Sequence, residues 1–110
     1  MIRRSASVCL LASTLLLAGT PAQAGSGATV RLIDDAISPG TTTVSRGARV
    51  TFRWAGKSPH DLVVSRNGKR VWRVGLRTSG AKSRVFKTAG TYKLLCTVHA
   101  PDMRGTLRVR

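Results

Sequence analysis

Beyond residue 24 the chain never shows the apolar spacing of a helix; short runs alternate apolar with polar residues and end in glycine, proline, serine or asparagine. In ARVTFRWAG (48–56), Val50, Phe52 and Trp54 fall on one face and Arg49, Thr51 and Arg53 on the other, as in a strand with one dry side. Comparable runs are TVRLI (29–33), TTTVS (41–45), DLVVS (61–65), RVWRVG (70–75), SRVFK (83–87), TYKLLC (91–96) and TLRVR (106–110). Turn signals separate them at Pro39-Gly40, Arg46-Gly47, Asn67-Gly68, Ser79-Gly80 and Ala89-Gly90. Asn67-Gly68 is the strongest, because both central residues of a type I′ hairpin turn need positive φ. Seven or eight such strands are too many for one flat sheet, so the expected fold is all-β, two sheets face to face or a flattened barrel.

The first 24 residues read differently. Arg3 and Arg4, an apolar run from Val8 to Leu17 and the small-residue end Ala22-Gln23-Ala24 are the parts of a secretory signal peptide. The apolar run falls well short of the roughly 20 residues that span a bilayer. Ser5-Ala6-Ser7 lacks the bulky apolar positions of a twin-arginine signal, so Sec export to a periplasmic or secreted location is expected. Cleavage after Ala24 would leave one domain, residues 25–110, with Gly25 to Ala28 frayed at its start. Cys9 would leave with the signal, and Cys96 alone remains, so no internal disulfide can form. In an oxidising compartment such a thiol is buried, joined to another chain or bound to something.

The surroundings of Cys96 favour the last of these. In YKLLCTVHAPDMRG (92–105), Tyr92, Leu94 and Cys96 share the inward parity of a strand, and Pro101 and Gly105 then mark a tight loop carrying His99 and Met103. His60, at the start of DLVVS and on the parity of Leu62 and Val64, is the other histidine of the chain. A thiolate, two imidazoles and a weak thioether form the set that selects copper in a trigonal site with a long axial bond. Zinc fits less well, since structural zinc prefers several cysteines and catalytic zinc leans on histidine and carboxylate. Taken singly, each residue has a plainer reading: Cys96 a small hydrophobe, Met103 a gap filler, His99 a solvated loop residue and His60 a strand-end histidine satisfied by Asp61. Trp54 and Trp72 read as core or sheet-edge aromatics, and Phe86 and Tyr92 as packing residues beside the site.

Charge bounds the partners. Of 19 basic residues two lie in the signal segment, leaving 17 against four acids, all aspartates. Such a surface draws acidic proteins, anionic lipid or nucleic acid and speeds encounter in a salt-dependent way, but does not specify fold. The plainer account of the same balance is an arginine-rich, soluble surface. Arg66, Lys69, Arg70 and Arg73 form the cluster best placed to dock an acidic face.

The segments ISPGTTTVSRGARVTFRW, SPHDLVV and FKTAGTYKLLCTVHAPDMRGTLRV give the chain from residue 25 onward a further reading, for in them it resembles the cupredoxin family, small blue copper proteins such as plastocyanin, pseudoazurin and amicyanin. The resemblance implies an eight-stranded Greek-key sandwich holding one type 1 copper ion, with His60, Cys96 and His99 as equatorial ligands and Met103 as the axial one. It implies a one-electron carrier rather than an enzyme, exposing the edge of His99 to redox partners. Here those partners are expected to offer an acidic docking face. A monomer, peripheral contact with an anionic membrane surface and no specific nucleic acid complete the expectation. The alternatives are a copper storage or delivery protein of the same fold, and a basic sandwich that binds an anionic polymer. Two features depart from the family pattern: the C-x-x-H-x-x-x-M spacing of the ligand loop, and Asp61 where asparagine often follows the first histidine. A carboxylate there can accept the same backbone N–H groups while adding negative charge near the metal.

Overall fold

The computed structural model describes residues 27–110, so the signal peptide assigned to residues 1–24 lies outside the described residues. Nine strands follow in order: β1 (Ala28–Ile33), β2 (Ala36–Ser38), β3 (Thr41–Val44), β4 (Ala48–Trp54), β5 (His60–Arg66), β6 (Lys69–Arg77), β7 (Ala81–Phe86), β8 (Gly90–Leu95) and β9 (Arg104–Val109). They form one sheet of order β2-β1-β4-β7 and a second of order β3-β9-β8-β5-β6. β1 lies parallel to β4 and β3 parallel to β9, while the other pairs are antiparallel. The expected Greek-key sandwich forms, with a ninth strand from β2, which is three residues long and too short for alternation to reveal. Ala28, expected to be frayed, already pairs with Val50.

Alternation decides which residues go inside. On β4, Ala48, Val50, Phe52 and Trp54 are buried, while Arg49 and Arg53 are exposed. They meet Leu62, Val64, Leu94 and Leu107 of the second sheet in one apolar cluster. Asn67 and Gly68 take φ of 53° and 78° between Arg66 and Lys69, the tight hairpin expected at that dipeptide. Trp72 half-buries against the core, its ring centroid 5.6 Å from that of Phe52, with the Arg84 guanidinium over the ring.

Phe86 and Tyr92 do not sit beside the cysteine loop as the sequence reading placed them. Tyr92 pairs with Arg66, at the end of β5 remote from His60, and its ring packs edge-on against Phe86 at 5.1 Å. Its hydroxyl donates to the Thr88 carbonyl at 2.6 Å, closing a tyrosine corner at the entry to β8. These aromatics fasten the base of the sandwich and leave the other end to His60 and the loop after β8.

Candidate metal centre

β8 delivers Cys96 to one end of the sandwich. The residue follows the last ladder pair and keeps extended backbone, φ −94° and ψ 117°, so the inward parity of Tyr92 and Leu94 carries through to a fully buried sulfur. The chain then tightens into a single 3-10 turn, Thr97–His99. With about three residues per turn, residues i and i+3 fall on nearly the same side. Hence the Cys-x-x-His spacing brings the His99 Nδ1 to 3.6 Å from the Cys96 sulfur. Amides of Asp102 and Met103 both donate to the His99 carbonyl, and the Cys96 amide donates to the Met103 carbonyl at 3.0 Å, so the loop closes on itself. Met103 is fully buried in it.

β5 supplies the opposite wall. A bulge between His60 and Leu62 breaks the alternation, so that His60, Asp61 and Leu62 are all buried. The His60 ring turns its Nδ1 to 3.8 Å from the Cys96 sulfur. From β4, Trp54 fixes the backbone beneath it, the indole N–H donating to the His60 carbonyl at 2.7 Å. The ligand atoms of His60, Cys96 and His99 all lie within 4.8 Å of one another.

That spacing fits a shared ion. Metal–sulfur and metal–nitrogen bonds of about 2.3 and 2.0 Å, at angles between tetrahedral and trigonal, separate sulfur from nitrogen by about 3.5–3.7 Å. The observed sulfur–nitrogen separations, 3.6 and 3.8 Å, lie within or close to that range. Sulfur with two imidazoles, dry on the sandwich side, suits a single type 1 copper ion.

All four acidic residues of the chain gather at this end. Asp61 accepts the Thr97 amide at 2.7 Å and the Thr97 hydroxyl, stapling β5 to the turn that carries His99. Burial pushes its carboxyl up, but the Thr97 hydroxyl and amide, with Cys96 and the Arg73 guanidinium 3.6 Å away, outweigh burial and hold it below the ordinary aspartate value. The asparagine role expected of Asp61 is therefore performed by an ionised carboxylate. Asp102 lies within the ligand loop itself.

Asp34 and Asp35, in the turn from β1 to β2, are the residues the sequence reading missed. Asp34 accepts the amides of Ser58 and Lys57 at 2.9 Å, which hold its carboxyl below the ordinary value, and its Oδ1 lies 3.2 Å from the Nε2 of His60. Asp35 brings an oxygen to 3.6 Å from the Nε2 of His99. An adjacent acidic pair in a chain with only four acids was the available signal.

No protein-family model matches the chain, and no curated protein sequence matches it. Solved structures do. A purple cupredoxin from Nitrosopumilus maritimus superimposes with TM-score 0.66 at 23% identity, covering 76% of this chain and 99% of that one. A mutant plastocyanin of a fern gives 0.65 at 25% identity, covering 74% and 99%. Auracyanin from Roseiflexus castenholzii gives 0.64 at 17% identity, covering 79% and 98%.

Proposed function

We propose that this chain, a cupredoxin by its fold and its His60–Cys96–His99 cluster, is an exported blue copper protein that takes up and releases one electron at a time. The observation that carries the reading is the Cys96 sulfur lying between two histidine Nδ1 atoms at 3.8 and 3.6 Å, on a buried and hydrogen-bonded frame.

His60, Cys96 and His99 would hold copper as the strong donors, with Met103 from the same loop as the weak one. Copper supplies a couple between its two lower oxidation states when bound there. The chain does the rest. Trp54 and Asp61 fix the two ligand segments before the metal arrives, so the donors have little freedom to rearrange when the charge of the site changes. Leu62, Leu94 and Met103 keep water from the inner side. The His99 side chain, 28% exposed beside the exposed Val98, offers the edge through which an electron passes.

Export is supported by the leader-like segment 1–24, and a redox partner with an acidic face by the excess of basic side chains. Four protein donors leave no open position for a substrate, which favours a carrier over an enzyme.

The test is addition of cupric ion to purified protein beginning near Gly25. An intense visible sulfur-to-copper band, lost in Cys96→Ser, together with a reversible one-electron wave, is the expected result. Weak ordinary copper absorption, the same in both proteins, removes the thiolate ligand and the reading with it. Copper that leaves readily for an apo acceptor assigns delivery instead.

A further inference from the structure

Both histidines of the cluster turn Nδ1 toward the Cys96 sulfur and Nε2 toward a carboxylate of the same short turn. We propose that Asp34 and Asp35 form a two-carboxylate brace from the β1–β2 turn, in which Asp34 is a positioning residue that sets the tautomer and orientation of His60, Asp35 places a charge behind His99, and the pair lowers the reduction potential of the centre. The proposal rests on the reading of those histidines as ligands.

Asp34 is built into place. Besides His60, its carboxylate accepts the amides of Lys57 and Ser58, from the loop that leads into β5. A Cβ at position 56 would overlap that carboxylate, so Gly56 is what lets the loop close over it. Anchored in this way, the Oδ1 stands 3.2 Å from the Nε2 of a side chain only 1% exposed. Asp35 takes φ +63°, in the left-handed region, and this reversal lets neighbouring residues send their carboxylates to different histidines. Asp35 is 79% exposed, and its oxygen at 3.6 Å from the Nε2 of His99 is at ion-pair rather than hydrogen-bond distance. Its effect is therefore that of a nearby charge.

The chemistry follows from the ring. An imidazole that gives Nδ1 to a metal must carry its proton on Nε2, and an acceptor at Nε2 selects that tautomer and raises the basicity of Nδ1. A fixed negative charge beyond the ligand also stabilises the more positive metal state over the less positive one. Both effects strengthen cupric binding more than cuprous binding and move the potential down. Asparagine at position 34 keeps one carbonyl for the Lys57 and Ser58 amides but removes the charge.

The experiment compares wild type, Asp34→Ala, Asp34→Asn and Asp35→Asn in two states. Without metal, nitrogen NMR of the His60 ring reports the tautomer: protonation at Nε2 is expected in wild type, and a mixture in Asp34→Ala, which removes the acceptor that asparagine would keep. With copper, cupric affinity should fall about 10–100-fold in Asp34→Asn. A tenfold loss not shared by the cuprous form corresponds to a potential higher by about 59 mV. Asp35→Asn touches no buried group, so it folds as wild type and should raise the potential in the same direction by less. A merely structural Asp34 would lower the melting temperature of the metal-free protein while leaving the His60 tautomer and the Asp35→Asn potential unchanged. That result overturns the proposal, as do unchanged affinity and potential in both variants. A wild type without the sulfur-to-copper band defeats the ligand reading instead, and the tautomer measurement on metal-free protein still decides whether Asp34 orients His60.

Discussion

At the residue scale the centre depends on polar groups that each perform one mechanical task. Asp61 joins β5 to the turn bearing His99 through two bonds to Thr97, and its carboxyl is held below the ordinary aspartate value. Because the unfolded chain takes up that proton first as pH falls, the stabilisation is complete above the unfolded value of about 4 and is lost as pH drops through the lower folded value. Metal-free Asp61→Asn should accordingly be less stable than wild type at neutral pH, with the gap closing on acidification. Urea unfolding at a series of pH values measures this, and a gap that stays constant between pH 7 and pH 3 would contradict it. The sequence offered Asp61 as a substitute for asparagine; its burial was hidden because the bulge after His60 is a register event between β5 and β6, invisible in either strand alone.

At the element scale, strand parity was legible almost everywhere. TTTVS was read as a strand, and Thr42 and Val44 do point inward from β3. What parity could not say is that the Thr42 hydroxyl would find no hydrogen-bond partner among the described residues. β3 pairs with β9 through Thr42 opposite Leu107, and that environment is apolar. Relieving a stranded hydroxyl recovers part of its desolvation cost, so Thr42→Val should stabilise the metal-free protein by about 1 kcal/mol. For a domain of this size that is a rise in melting temperature of roughly 4–8 °C. A lower melting temperature would mean that the hydroxyl has a partner, such as a buried water. β2 escaped the sequence reading for a related reason: it exists through its pairing of Ile37 with Leu32, and so through the tight turn that also presents Asp34 and Asp35.

For the whole molecule, the acids are confined to one end while basic residues occupy both: Arg73, expected in the docking cluster, reaches Asp61, and Arg77 pairs with His60. Asp34, Asp35, Asp61 and Asp102 surround the cysteine loop, whereas Arg66, Lys69 and Arg70 stand at the tip of the β5–β6 hairpin, at the far end of β5 from His60. The acidic partner proposed above would be drawn by the long-range field of these basic side chains. Electron exchange with an acidic partner should slow as ionic strength rises, and should weaken further when Arg66, Lys69 and Arg70 are together changed to glutamate. Stopped-flow rates across a salt series test this, and rates indifferent to both changes would assign the basic surface to solubility alone. The sequence by itself determined the all-β class, the inward faces, the hairpin at Asn67-Gly68 and which side chains are candidate donors, because these follow from period-two alternation, local turn chemistry and side-chain type. Tertiary structure alone decided which nitrogen each histidine presents, that Asp34 and Asp35 lie behind those rings, and that the aromatic pair closes the opposite end. Those relations join residues far apart in the chain, and only the packing of one sheet on the other brings them within bonding distance.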